Sequence, residues 1–166
     1  MIVEKLVVGF LKTNCYIVYS PDNRGCAVID PGGESRRICA DLEKRGLTPD
    51  VILLTHAHAD HVRGLWHLYE KTGACVYVHA GDLDARINIG PFRFVPPPKT
   101  QYVCEGSTIC AGSLRFSVLE CPGHTPGSVV YRCEDTLFTG DTLLHMGSGR
   151  VDYPCSSRED MMASLT

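Results

Sequence analysis

The residues with the most evident chemical potential lie in Thr55-His-Ala-His-Ala-Asp-His61, directly after the apolar run Val51-Ile-Leu-Leu54. Imidazole and carboxylate are the ligand set for zinc and other first-row metals. His56 and His58 are two apart, so in extended or turning backbone both rings can face the same way. Asp60 and His61 are adjacent, and their side chains are expected to diverge. One four-ligand sphere is therefore a poor fit. Two neighbouring metal sites fit better, one fed by His56 and His58 and the other by Asp60 and His61. The small Ala57 and Ala59 leave room for ions close to the backbone. Scattered loop polarity is the plainer reading, but four potential ligands within six positions at a strand end outweigh it.

Two later stretches extend the chemistry. Cys121-Pro-Gly-His-Thr-Pro-Gly-Ser128 sets His124 in a rigid turn after a predicted strand, and Phe138-Thr-Gly-Asp-Thr142 ends another predicted strand in Asp141. Glycines flank both and permit close approach. His124 would give the first site a third imidazole. Asp141, with two carboxylate oxygens, could serve one ion with each and bridge them.

The elements that must position these groups follow from the pattern. Val51–Leu54 reads as a strand buried on both faces. Ile2–Val8, Cys15–Tyr19 and Cys26–Ile29 read as strands before it, with a turn at Pro21–Gly25. Glu34–Arg45 reads as a helix with Ile38 and Leu42 inward and Gly46 as its stop. A helix is predicted over His61–Lys71, with Asp60 where a capping carboxylate would stand and Gly73 as its end. Ala74–Val78 is a further strand and His79–Arg86 a short helix. Ile87–Thr100, with four prolines, is a long irregular loop of the kind that often forms a binding wall. Thr108–Cys110, Leu114–Glu120, Ser128–Cys133 and Thr136–Phe138 are later strands. The pattern predicts one α/β domain over residues 1–166, built of two sheets with helices outside.

Composition narrows the class. The chain has 166 residues, enough for a real core, and a net charge of −3. Nothing in that charge points to nucleic acid or anionic lipid as partner, and no stretch reads as a signal peptide or membrane span. Nine cysteines are an odd number with no Cys-x-x-Cys pair, which removes the zinc-ribbon and thioredoxin readings. Cys26, Cys39 and Cys75 sit in apolar stretches as small core residues, and the expected setting is the reducing cytoplasm.

Taken together, Thr-His-Ala-His-Ala-Asp-His, Pro-Gly-His-Thr-Pro-Gly-Ser and Thr-Gly-Asp-Thr-Leu resemble the metallo-β-lactamase superfamily. Within it the chain looks like the small glyoxalase-II-like hydrolases. The likeness includes Thr13-Asn-Cys-Tyr16, Val28-Ile-Asp-Pro-Gly32 and Gly149-Arg-Val-Asp152. It implies an αββα sandwich with the metals in a groove at one edge of the sheets. It implies His56, His58 and His124 on a first zinc ion, Asp60 and His61 on a second, Asp141 bridging, and a hydroxide shared by the two. Iron or manganese could replace zinc. The implied activity is hydrolysis of a small acyl or thioester substrate, with Asp60 orienting the nucleophile and Arg150 at a position that contacts the substrate carrier. Pairing with Asp152 is the competing role for Arg150.

The resemblance also brings a further histidine, in a Pro-Gly-His-Gly-like turn after the bridging aspartate, then a last strand and helix. This sequence has no counterpart and stops at Thr166, inside a helix beginning near Arg158. It therefore reads as C-terminally incomplete relative to the family, with apolar surface left for a homo-oligomer. His145 is read as a loop residue without a metal role, His67 as helix surface and His79 as a strand end. The rival readings are an iron-dependent persulfide dioxygenase of the same fold and a non-catalytic metal-binding module. The flavodiiron branch is disfavoured, because it carries an acidic residue where His58 stands.

Overall fold

The computed structural model describes residues 1–88, 90 and 92–166; Ile89 and Pro91 of the predicted loop lie outside them. One sheet has six strands in sequence order: β1 (Ile2–Val8), β2 (Thr13–Tyr19), β3 (Gly25–Ile29), β4 (Thr48–Leu53), β5 (Cys75–His79) and β6 (Thr100–Val103). The first three pair antiparallel and β3 to β6 pair parallel. The second sheet is an antiparallel meander of β7 (Thr108–Ala111), β8 (Leu114–Glu120), β9 (Val129–Cys133) and β10 (Thr136–Phe138).

Alternation along the central strands explains the layering. Ile52 and Leu54 turn to one side, packing with Val28, Val76, and Ile38 and Leu42 of α1 (Ser35–Arg45). Val51 and Leu53 turn to the other, packing with Ala27, Ile29, Phe116, Val118 and Tyr131 between the two sheets. All four anchor residues are buried. Each such side chain contributes roughly 1.5–3 kcal/mol of burial. A strand that stable can hold a polar cluster at its end. The double-faced burial predicted for Val51–Leu54 is what the fold shows, as are two facing sheets with helices outside.

Four local readings are corrected. The helix predicted over His61–Lys71 is two pieces, α2 (Ala59–Val62) and α3 (Leu65–Thr72). Gly64 separates them and donates its N–H to the Pro31 carbonyl at 2.8 Å, an approach that a side chain would obstruct. Asp60 is not the cap of α2. His58 holds that position, and Asp60 lies in the first turn with Oδ2 accepting the Thr13 hydroxyl at 3.0 Å. The short helix predicted over His79–Arg86 is two 3₁₀ turns, Ala80–Leu83 and Ala85–Ile87, split at Asp84, whose carboxylate accepts the Arg86 N–H. Strand β6 was absent from the sequence reading. Its four residues follow three prolines and gain order from parallel pairing with β5. At the end of the chain, α4 (Arg158–Ser164) starts where predicted, capped by the Ser157 hydroxyl, and seats Met161 against Gly123.

The turn after β3 fixes the site's depth. Gly32 lies so close to α2 that a Cβ there would stand 1.7 Å from the Asp60 carbonyl oxygen. Gly32→Ala is therefore expected to destabilise by roughly 1–3 kcal/mol, because backbone must move to admit the methyl. Urea unfolding with unchanged slope measures this, and Gly147→Ala, with nothing within 4 Å, is the control expected to stay near wild type.

Candidate metal centre

The chain leaves β4 and immediately turns through Thr55–Ala59, and two residues from the next crossover hold that turn. Asp82, fully buried, accepts the Ala57 N–H on Oδ2 at 2.7 Å. Asn88 accepts the Ala59 N–H at 2.9 Å and donates to the Ala57 carbonyl at 3.1 Å. Asp82 also accepts the Thr125 hydroxyl at 3.0 Å and the Gly127 N–H at 2.7 Å. One carboxylate thus ties the His56–His58 turn to the His124 turn. Burial pushes the Asp82 pKa up, and those three hydrogen bonds oppose the push.

Four imidazoles converge above this clamp. His56, His58 and His124 offer nitrogens all within 4.8 Å of one another, and so do the ligand atoms of His56, His61 and Asp141. His58 Nδ1 and His124 Nε2 are 2.9 Å apart. Asp141 stands between the sets, with Oδ1 3.4 Å from His61 Nε2 and Oδ2 3.3 Å from His124 Nε2. Asp60 lies beside the second set, its Oδ2 3.6 Å from His61 Nε2. The expected divergence of Asp60 and His61 is therefore not seen. The first helical turn of α2 swings both toward the groove. His56 is common to both sets, which the spacing argument had not anticipated.

Each ring is anchored from outside. His58 Nε2–H donates to the Ile87 carbonyl at 2.8 Å, and His124 Nδ1–H to the Arg150 carbonyl at 2.7 Å. His61 Nδ1–H donates to Asp30 at 3.0 Å. His56 Nδ1–H meets the Thr55 hydroxyl at 3.1 Å, which itself donates to Asp30 at 2.6 Å. Carbonyl partners can only accept, so His58 and His124 carry their protons on the outer nitrogens and turn lone pairs inward. Two lone pairs facing each other repel unless a cation lies between them. His56 Nε2 is buried with no hydrogen-bond partner among the described residues. Anchored outer nitrogens with free inner ones are the arrangement metal-ligating histidines adopt, so the residues present fit a divalent ion.

The charge states divide the two sets. Burial, followed by the neighbouring imidazoles, holds His56 well below the usual histidine range. Burial and the His124 ring lower His58 to about 4. Burial also opposes charge on His61, but Asp30 and Asp141 outweigh it and raise this group to about 10. Asp141 is disfavoured as an anion by burial, yet His61 beside it brings its pKa below the ordinary carboxylate value.

The remaining candidates fall elsewhere. Arg150 is held by Asp152 through two bonds of 2.8 and 2.7 Å and lies 4.6 Å over the Tyr153 ring. Tyr153 in turn packs edge-on against His58 at 5.4 Å. A Cβ on Gly149 would meet the Asp141 carbonyl at 2.2 Å, so only glycine lets this segment reach His124. His145 lines the groove but joins neither set among the described residues. His67 sits on α3, and His79 ends β5 against Glu120 at 3.2 Å. Sequence reading missed Asp82 and Asn88. Their partners are 25 to 45 residues away, and no local pattern marks them.

Metal binding requires neutral His61. In the metal-free protein its raised pKa adds stability that is fully present below the unfolded value of 6.5 and is lost as pH rises through about 10. Zinc loading at pH 7.5 should therefore release a proton from His61, and affinity at the second set should climb with pH up to about 10. His56 and His58 should release no proton, because burial already keeps both neutral at that pH. Zinc titration in weak buffer with a pH indicator reads the release, and His61→Asn should remove it.

A sequence model described as the Metallo-beta-lactamase superfamily matches residues 8–165. Over 172 residues the chain is 35% identical to the probable metallo-hydrolase YqgX of Bacillus subtilis, spanning 98% of this chain and 81% of that one. It is 30% identical over 181 residues to the hydroxyacylglutathione hydrolase GloC of Haemophilus influenzae, covering 99% and 82% respectively. Among solved structures, the BLEG-1 B3 metallo-beta-lactamase superposes with a TM-score of 0.89 at 31% identity, over 99% of this chain and 83% of that one. The family model spans nearly the whole chain, and the chain belongs to the metallo-β-lactamase superfamily.

Proposed function

We propose that the protein is a metal-dependent hydrolase of thioesters or related acyl compounds. The observation that carries this reading is the set of four outward-anchored imidazoles, one with a buried nitrogen that has no partner among the described residues, opening beside Asp60 and Asp141 into a groove of about 480 Å³. The similarity to a hydroxyacylglutathione hydrolase supports an acyl substrate. His56, His58 and His124 would hold one ion, and His61 with Asp60 a second, with Asp141 serving both. Zinc suits this nitrogen-rich donor set, and iron or manganese are the alternatives.

When bound, such ions would lower the pKa of a water to about 7 and polarise a carbonyl oxygen. The chain's own residues do the rest. Thr13 fixes one oxygen of Asp60, so its carboxylate is aimed rather than free. Asp60 accepts a proton of the attacking water and directs its oxygen to the acyl carbon. The carbon–sulfur bond breaks, the water oxygen stays on the acid, and the proton goes to the departing thiol. No serine or cysteine nucleophile is required. Asp30 holds the His61 ring and, through Thr55, the His56 ring. Arg150 is the weaker candidate for substrate contact, because a substrate group would compete with Asp152 for its guanidinium.

All nine cysteines are free, which suits the cytoplasm, and no helix among the described residues is long and apolar enough to cross a membrane. Asp60→Ala should lower thioester hydrolysis at least about 100-fold while circular dichroism and the unfolding midpoint stay near wild type. Unchanged turnover would show that the carboxylate serves only its Thr13 contact. Elemental analysis alongside thioester, β-lactam and oxygen-consumption assays separates the hydrolase from its rivals. Iron alone with oxygen uptake would favour the dioxygenase, and bound metal without turnover a binding module.

A further inference from the structure

Five large apolar side chains stand exposed on two hydrogen-bonded turns. Phe10 and Leu11 occupy the turn between β1 and β2, closed by Lys12 N–H to the Gly9 carbonyl at 3.3 Å. Leu143, Leu144 and Met146 occupy the turn after Asp141, closed by reciprocal Leu144–Gly147 bonds of 2.8 and 3.3 Å. Phe10 is 95% exposed, Met146 93% and Leu11 65%. Turn tips favour glycine, proline and short polar residues, since the backbone there stays in water. Folding gains nothing from apolar tips, so these five are unexplained by the core.

The placement of three of them supplies a reason. Leu11, Leu143 and Leu144 line the same groove as Asp60, His61 and Asp141. The two turns therefore converge on one opening. Apolar Tyr16, Ile29 and Phe138 continue the lining inward. The volume falls within the range of small-ligand pockets, about 300–1,000 Å³. Exposed apolar residues gathered at a groove mark what the groove receives.

We infer that the two turns form an apolar clamp for the acyl chain, so that the preferred substrates are thioesters of uncharged aliphatic or aromatic acids several carbons long. This rests on the hydrolase reading above, and the test keeps the two apart. The clamp needs no contact with the leaving thiol, so discrimination should follow the acyl chain and not the carrier.

The zinc-loaded protein is assayed with acetyl, butyryl and hexanoyl thioesters of one simple thiol. Calorimetry on the same preparation compares acetate with hexanoate. Each methylene seated on the clamp should multiply kcat/KM by about two- to fourfold. Hexanoyl should then exceed acetyl at least about tenfold, and hexanoate should bind more tightly than acetate by a similar factor. Leu11→Ser combined with Leu143→Ser should collapse both ratios. Leu137→Ser, whose residue is as exposed as Leu143 but lies on β10 outside the groove lining, should leave them unchanged. Equal binding of acetate and hexanoate, or ratios unmoved by the double substitution, would overturn the clamp. Failure to hydrolyse any thioester, with hexanoate still preferred, would sink the hydrolase reading and leave the apolar site standing.

Discussion

Between His58 and His124 two ring nitrogens face each other across 2.9 Å, and the outer partner of each ring is a carbonyl. Those carbonyls demand the ring protons, so the inner nitrogens present only lone pairs. Left alone the rings would swing apart or trap a proton. The surrounding structure prevents the first outcome, since His58, His61 and His124 are all buried and each is tied at its far nitrogen. It disfavours the second as well, because burial keeps His58 neutral far below ordinary pH. What remains is a preorganised demand for a cation, held by partners from separate parts of the chain.

Holding that arrangement requires buried carboxylates that do not enter the groove as ligands. Asp82 accepts three hydrogen bonds and keeps two loops in register. Asp30 accepts from the Thr55 backbone and hydroxyl and from His61. Each is a charge taken out of water, costly unless hydrogen-bonded on both oxygens. The donors come from the same turns that carry the imidazoles. Stability of those turns and correct aiming of the rings are thus one interaction network, and loss of either carboxylate would leave several buried donors without acceptors. The double-sided burial of β4 anchors the network, because the strand can shift neither toward the helices nor toward the second sheet without emptying a core.

Much of this was legible in the residues themselves. Period-two and unbroken apolar runs located nine of the ten strands, and the candidate site residues stood out by identity and clustering. The site's finer geometry was not legible, for two physical reasons. Spacing treats a short segment as regular backbone, so Asp60 and His61 were expected to diverge; the single turn of α2, closed by His61 N–H to the His58 carbonyl, gathers them instead. Support residues such as Asp82 and Asn88 act on partners far along the chain, and their own neighbourhoods are two irregular turns with no periodicity to read. Strand β6 failed for a related reason. It is too short to show alternation and depends on β5 for its order.

The two candidate ligand sets differ in a way that follows from their electrostatics rather than their composition. In the first, burial keeps His56 and His58 neutral near ordinary pH. The second couples His61 to Asp30 and Asp141, so in the absence of metal a proton acts as the counter-charge to two carboxylates. An incoming ion must displace that proton, and in exchange it meets an anionic surrounding that compensates its charge. Asp141 belongs to this exchange on one oxygen while its other oxygen faces His124. A single carboxylate therefore transmits the charge state of one set to the other. Substitutions in the His61–Asp141 pair should therefore be felt by His124 across the carboxylate that separates them.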